Sequence, residues 1–368
     1  MKLFTPLRLG ALTLPNRIIM APLARARSDE HRAPTAMVAE YYAQRADAGL
    51  IISEASSVGP LSVSRPHASA MFLDRHVEGF RRVAAAVHAK GGRIFQQLYH
   101  LGRKSDPSRM PDGAQPVAPS AVAAQGKIAG LNGQIDFAMP RPLDLDEIPG
   151  VVDEFRAAAR NAQRAGMDGV EIHGANGYLI DQFLRDGANR RTDAYGGAPE
   201  NRIRFLLQVV DAVIGVFGAG RVGVRLSPHF RVDGSMESDP VSLYGVAATA
   251  LNNRQVAYLH IVESMKPDTP QSPPPGGAPV LAAVRRAFSG PLIVNGAYDR
   301  DLAEAAIASG AADAVAFGAL YIANPDLVER FRRGGPYNPP DVSTFHNGGA
   351  KGYIDYPALD AVAASASA

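Results

Sequence analysis

The chain contains no cysteine. That absence removes disulfides, Cys-ligated zinc, iron–sulfur clusters and thiol nucleophiles together. Excess charge is also missing: 38 Lys and Arg stand against 36 Asp and Glu. No block of basic residues stands out, so neither nucleic acid nor an anionic membrane is an expected partner. Long apolar runs are absent too. The longest, Ala314–Ala323, is too short to cross a bilayer. The N-terminal stretch MKLFTPLRLGALTLPNRIIM is broken by Arg8, Gly10 and Pro15 and so lacks a secretory core. A soluble cytoplasmic protein, monomeric or homodimeric, is the expectation. No close internal repeat is visible.

What is present is alternation. Short apolar, β-branched runs occur at Arg17–Pro22, Leu50–Ala55, Arg93–Tyr99, Gly169–His173, Val222–Ser227, Tyr258–Glu263, Pro291–Asn295 and Asp313–Gly318. Segments of helical period lie between them, such as Thr35–Ala48, Val77–Ala89, Asp146–Ala165 and Ile203–Val216. Eight strands each followed by a helix predict a single (β/α)8 TIM barrel rather than a doubly wound sheet. The 368 residues exceed the usual single core of about 250–300, which α/β barrels often do as one domain.

Residues 1–356 are therefore read as one barrel. Residues 1–16 resemble a hairpin suited to plugging its bottom. Residues 101–143, rich in Pro, Gly and Ser, form an excursion after strand 3. Residues 265–279 form a loop after strand 6. Both fall on the C-terminal face, where barrel active sites form. They are pocket walls or lids on one reading and solvated loops on the other. The Ala/Ser-rich tail 357–368 is expected to be disordered.

Strand parity places the polar residues, because inner and outer faces alternate. In VGVRLS, Val222, Val224 and Leu226 suit the helix layer, so Arg225 points into the barrel. In GVEIH the same logic turns Glu171 and His173 inward. A buried guanidinium without a partner is very costly. Arg225 therefore implies either an electron-rich ligand or an ion pair with Glu171 on the next strand. Gln97 is ambiguous, since its strand is apolar on both faces.

The stretch 171–202, EIHGANGYLIDQFLRDGANRRTDAYGGAPENR, carries the most chemistry. His173, Asn176 and Tyr178 gather at a strand exit: two hydrogen-bonding side chains and one weak acid. Such a set suits holding a carbonyl or nitro oxygen beside a proton donor, or simply capping a helix. A loop is expected to run from there through a Gly-Gly turn into the helix opened by Glu200, Asn201 and Arg202. The sequence GAGRVG at 218–223 matches the dinucleotide pattern G-x-G-x-x-G. It ends a helix and enters a strand, the reverse of the required context, and is read as a helix stop.

Several ordered segments resemble the old yellow enzyme family, the FMN-dependent ene-reductases of the N-ethylmaleimide and pentaerythritol tetranitrate reductase type. They are NRIIMAPLARARS, EYYAQRADAGLIISEAS, QLYHLGR, HGANGYLIDQFLRDGANRRTDAYGG, ENR and AFGALYIANPDL, and the likeness runs over nearly the whole chain. The resemblance implies an FMN-binding barrel reducing activated C=C bonds in unsaturated carbonyls, maleimides and nitro compounds, with NAD(P)H as reductant. It implies that Pro22, Leu23, Ala24 and Ala55 line the flavin, and that Gln97 bonds the pyrimidine edge. Arg225 would lie near N1 and O2. Gly296 and Ala297, with Gly318 and Ala319, would cradle the phosphate, and His173 and Phe317 would also contact the cofactor. His173 and Asn176 would hold the substrate oxygen, with Tyr99 shaping the pocket, and Tyr178 would protonate the α-carbon. RTDAYGG would be structural. No metal is implied.

The chain departs from that pattern in places. Ala24 stands where a Thr or Cys is usual, which is expected to lower the flavin potential. Ala319 replaces a common phosphate-binding Arg, which is expected to weaken FMN retention. Tyr99 replaces a Trp, and His346 falls where a Tyr is frequent. Residues 56–72 match poorly, and no ligand-facing aromatic is evident there. Two alternatives stay open: a redox-neutral C=C isomerase, and a non-catalytic binding protein on an eroded barrel. Retained Tyr178 favours the reductase, because net reduction needs a proton donor. Reductases that carry an iron–sulfur cluster are excluded by the missing cysteines.

Overall fold

A computed structural model describes the chain except residues 64, 131, 132, 231, 232, 264–278, 347 and 360–368. The core is a closed parallel barrel of eight strands: β1 (Ile18–Met20), β2 (Leu50–Ile52), β3 (Ile94–Tyr99), β4 (Gly169–Gly174), β5 (Val222–Leu226), β6 (Tyr258–Val262), β7 (Leu292–Asn295) and β8 (Ala314–Phe317). Each pairs with its sequence neighbour, and β8 closes on β1 through Ala316–Ile19 and Phe317–Met20. The helices that follow in turn are α1 (Ala36–Ala43), α2 (Asp74–His88), α3 (Ile148–Arg164), α4 (Arg204–Phe217), α5 (Pro240–Asn253), α6 (Pro279–Ala287), α7 (Arg300–Ala308) and α8 (Leu327–Arg333).

Parity sorts the strand residues as the sequence predicts. Val170, Ile172, Val222, Val224 and Leu226 join the large cluster between sheet and helices. Ile19, Leu50, Ile52, Phe95, Tyr258, Ile293 and Ala314 fill the barrel's interior instead. That inner cluster includes Leu7, Leu9 and Leu14 from an N-terminal hairpin, Leu7–Leu9 paired with Leu12–Leu14. Gly10 at its turn faces Gly220, just ahead of β5. A Cβ at Gly10 would lie 2.2 Å from the Gly220 carbonyl oxygen, so the close approach requires glycine. The hairpin closes the barrel at its N-terminal end.

The excursion after β3 is not featureless. Val117–Ala118 pairs with Arg141–Pro142, and Lys127–Gly130 forms a hairpin with Gly133–Asp136. The expected loop 265–279 lies outside the described residues up to position 278, and Pro279 begins α6. Of the tail, Pro357 accepts from Arg330 and Asn338, and Leu359 N–H donates to Asp326. Residues 360–368 lie outside the described residues. Gly218 ends α4 with φ of 76° before a short turn into β5, so GAGRVG is a helix stop. No described helix is long and apolar enough to cross a membrane.

Candidate active site

Polar side chains gather in the barrel interior around Glu171, His173, Arg225 and His260. Parallel register sets His173, Arg225 and His260 side by side on β4, β5 and β6, with Gln97 beside Glu171. Gln97 Nε2 donates to Glu171 Oε1 at 2.7 Å. Glu171 Oε2 accepts from the Tyr258 hydroxyl at 3.1 Å and from His260 Nδ1 at 2.9 Å. Burial pushes the Glu171 carboxyl up, but His260, Arg225 and Gln97 outweigh it and hold it below the usual carboxylate range. Burial pulls the His260 imidazole below its ordinary value, against the opposing charge of Glu171.

The alternative of a Glu171–Arg225 ion pair is therefore replaced by a different arrangement. Gln97, Tyr258 and His260 surround the carboxylate, and Arg225 instead donates to Asn295 Oδ1 at 2.9 Å. Asn295 is fixed by the Ala316 carbonyl. Arg225 is 5% exposed, and its Nε has no partner. An orphan guanidinium N–H at this depth needs an acceptor.

His173 is 3% exposed. Burial, then the charge of Arg225, hold its pKa well below the ordinary imidazole value. The Ala175 N–H donates to His173 Nδ1 at 3.3 Å. Nδ1 is thus the acceptor, and the ring proton sits on Nε2. Asn176 follows in the left-handed region (φ 58°), and Gly177 does too (φ 73°). Asn tolerates that conformation better than most residues. At Gly177 a Cβ would lie 2.0 Å from Asp233.

This turn is tied on every side. Asn176 N–H donates to Ser227, Gly177 N–H to Asp181, Gln182 to the Gly177 carbonyl, and Lys104 Nζ to the Asn176 carbonyl. It delivers Tyr178 as the N-cap of a helix, Leu179–Leu184, in a stretch the sequence suggests is loop. The local polar side chains feed the turn rather than solvent, which is why the pattern hides the helix. Tyr178 packs edge-on against His173 (4.9 Å between centroids) and Tyr99 (5.2 Å). Burial raises its pKa above 10, against the opposing charges of Arg65 and Arg225. Farther along, Arg191 pairs with Asp193, and Asn189 donates to the Phe183 and Tyr195 carbonyls. That stretch is structural.

A cavity of about 710 Å³ opens above these residues. Every sequence-predicted site residue lines it: Pro22, Leu23, Ala24, Ala55, Gln97, Tyr99, His173, Asn176, Tyr178, Arg225, Gly296, Ala297, Phe317, Gly318 and Ala319. His346 lines it as well, and the 56–72 segment contributes Arg65 and Ala68 rather than an aromatic. Sequence reasoning missed Arg65, Glu54, Asn295, Asp299 and, beside the cavity, Lys104. Only Asn295 had a signal, being inward by parity on β7. Glu54 holds the turn at 25–26 through both N–H groups. Arg25 and Arg27 donate to carbonyls of Thr344, Phe345, Gly349 and Gly352, clamping the segment that carries His346.

The residues fit a flavin mononucleotide. The orphan Arg225 Nε suits an electron-rich ring edge, and Gln97, its Nε2 spent on Glu171, keeps Oε1 to accept a ring N–H. Gly296, Ala297, Gly318 and Ala319 stand after β7 and β8, where such barrels hold phosphate. A Cβ at Gly318 would come within 3.3 Å of Leu23. The phosphate end lacks a cation among the described residues. Asp299 caps α7, and Arg300 is turned to Asp301 and Phe331.

This barrel and site define a flavin-binding oxidoreductase. Residues 2–338 match the NADH:flavin oxidoreductase / NADH oxidase family, and the chain belongs to it. It is 44% identical over 357 residues to a protein of Leishmania infantum named "Probable flavin mononucleotide-dependent alkene reductase", covering 96% of each. The structure superposes on morphinone reductase in complex with tetrahydroNAD at TM-score 0.92 and 48% identity, over 98% of both chains. It also matches the old yellow enzyme homologue of Zymomonas mobilis at TM-score 0.93 and 43% identity, covering 98% of this chain and all of the other. The chain is an FMN-dependent, NAD(P)H-consuming oxidoreductase of activated C=C bonds, of the old yellow enzyme type.

Proposed function

We propose that His173, Asn176 and Tyr178 are the residues that perform this reduction. The observation that carries the assignment is the fixed tautomer of His173. With Nδ1 occupied by the Ala175 N–H, Nε2–H is the group left to donate, and depression of the imidazole pKa keeps it neutral. His173 Nε2 and the Asn176 amide hold the oxygen of the activating carbonyl and draw charge away from the β-carbon. Donors placed this way are typically worth about 3–4 kcal/mol each. FMN, when bound, would supply the hydride, with NAD(P)H as its reductant. Tyr178 gives its proton to the α-carbon and regains one from solvent, so the alkene gains H⁻ and H⁺ in total.

Pro22, Leu23, Ala24 and Ala55 line the flavin, Gln97 and Arg225 address its ring, and Gly296, Ala297, Phe317, Gly318 and Ala319 its phosphate end. Tyr99 bounds the substrate. The enzyme acts as a monomer or homodimer in the cytoplasm, with maleimides, enones and nitro compounds as acceptors.

The test is an anaerobic absorbance titration of FMN-loaded protein. NADPH should bleach the flavin bands, and 2-cyclohexenone should restore them. In His173→Ala, bleaching should survive and restoration should slow by on the order of 10²–10³-fold. Restoration at the unaltered rate would remove His173 from the mechanism.

A further inference from the structure

A second cavity of about 520 Å³ adjoins the first. The two share three residues: Arg65, Tyr178 and His346. The second is walled by Gln125, by Lys127 and Gln134 of the hairpin after β3, and by Lys104 and Asp233. Nothing in the reduction described above uses it.

Arg65 at the junction is the informative residue. Its Nη1 donates to His346 Nδ1 at 3.2 Å. His346 gives its ring N–H to the Ala24 carbonyl, and burial together with the charge of Arg65 keeps its pKa below the ordinary value. The partner of Arg65 is thus a neutral ring, which orients the guanidinium without neutralising it. No described carboxylate pairs with Arg65. The acids around both cavities are already committed. Asp233 pairs with Lys104 at 2.9 Å and Arg103 at 3.5 Å. Glu54 holds Arg25 N–H, Ala26 N–H and Ser69. Lys127 is met by Asp136 at 3.1 Å. Among the opposing charges, Arg65 acts on Tyr178 ahead of Arg225, so its field reaches the proton donor. Its presentation is built by the Arg25 and Arg27 clamp on the 344–352 segment.

We propose that Arg65, oriented by His346, is an anion-recognition residue at the junction of the two cavities, selecting ligands that carry a carboxylate or phosphate arm. An activated alkene held at His173 and Asn176 has its far substituents directed past Tyr178 toward the second cavity. An acidic arm there meets a guanidinium whose fork matches carboxylate and phosphate geometry. The substrate class is then an enone acid or enone phosphate rather than a neutral enone. The same chemistry is carried by the phosphates of the reduced dinucleotide, which enters by the same mouth. The inference rests on the reductase reading above and refines its substrate class.

The test compares 4-oxocyclohex-2-ene-1-carboxylate with its methyl ester. The two alkenes share the enone, and any intrinsic difference in their reactivity is the same for wild type and variant and cancels when their acid-to-ester ratios are compared. Wild type, Arg65→Met and Arg65→Lys, each loaded with FMN, are followed in both half-reactions. Any effect of Arg65 on Tyr178 acts on both alkenes and cancels in their ratio. The expected result is that Arg65→Met loses at least tenfold more kcat/KM for the acid than for the ester. The difference should lie in KM, fade at high salt, and be recovered largely by Arg65→Lys. An equal loss for the two alkenes, with weakened NADPH saturation in the bleaching step, would place the anion on the dinucleotide and still support the site. An unchanged acid-to-ester ratio with unchanged NADPH saturation overturns it. Calorimetric binding of the acid and the ester to oxidised wild type and Arg65→Met reads the anion preference without turnover. If neither alkene reoxidises bleached wild type, the reductase reading fails, and the calorimetry still decides on Arg65.

Discussion

Lys104 Nζ donates to the main-chain carbonyl of Asn176 at 2.9 Å, from a side chain only 12% exposed. The bond holds a non-glycine residue in the left-handed region, immediately before Tyr178. The same ammonium pairs with Asp233. One cation therefore anchors the turn that carries Asn176 and Tyr178, the amide and the acid of the proposed mechanism. Lys104→Met should cost stability, since breaking a buried pair typically costs about 3–5 kcal/mol. It should also slow alkene reduction by on the order of 10²-fold through misplacement of the turn, with flavin bleaching by NADPH intact. Thermal melts and single-turnover reoxidation measure the two separately. A variant that melts early yet reoxidises normally would show that the turn holds its shape without Lys104.

Tyr178→Phe removes the proposed proton donor and leaves His173 and Asn176, the proposed oxygen-binding pair. Alkene reduction should fall by about 10²–10⁴-fold, while reduction by NADPH is unaltered. Because burial lifts the Tyr178 pKa above 10, the wild-type rate of this step should be flat from roughly pH 6 to pH 9. A fall in rate within that window would mean that Arg65 and Arg225 prevail over burial.

Ala319 stands where the FMN phosphate is proposed to lie, and no side-chain cation lines that end of the cavity among the described residues. Ala319→Arg should tighten FMN by about 1.5–3 kcal/mol, or roughly 10- to 150-fold in Kd. Equilibrium dialysis against FMN checks it. No gain would imply that a cation outside the described residues already serves the phosphate.

His100 sits at the end of β3, 2% exposed, with Nδ1 accepting the Gly102 N–H at 3.0 Å. Burial pushes its pKa down to about 4 from 6.5. A depressed histidine contributes stability above its unfolded pKa and loses it as pH falls toward the folded value. Between pH 6.5 and 4 that loss is about 3 kcal/mol. The burial-depressed pKa values of His76, His173 and His260 steepen the same limb. Urea melts at pH 7 and pH 4.5 should show a smaller acid loss in His100→Gln than in wild type.

Much of this is legible in the sequence. The barrel followed from eight β-branched runs alternating with helical period. The inward turn of Arg225 and His173 followed from strand parity, because a charged residue among alternating valines can face only one way. His260 was equally legible by parity in YLHIV, and with it the pairing that frees Arg225 from Glu171. Other parts were out of reach. Arg65 lies in a segment of no regular period, so its direction depends on the path of the loop. Arg25 reaches carbonyls some 320 residues along the chain, and no local pattern encodes such a distance. The helix after Tyr178 was hidden because its start depends on two left-handed residues held by Lys104, Asp181 and Ser227.

With Leu7, Leu9 and Leu14 seated beneath Phe95 and Tyr258, the barrel is a vessel with a floor. Whatever reaches the ring must come and go by the upper opening, past Arg65 and His346. Spent dinucleotide must then clear the doorway before the alkene can take its place. Turnover is a matter of alternating occupancy. Raising either ligand far enough should crowd out the other, and double-reciprocal plots at moderate concentrations should run parallel.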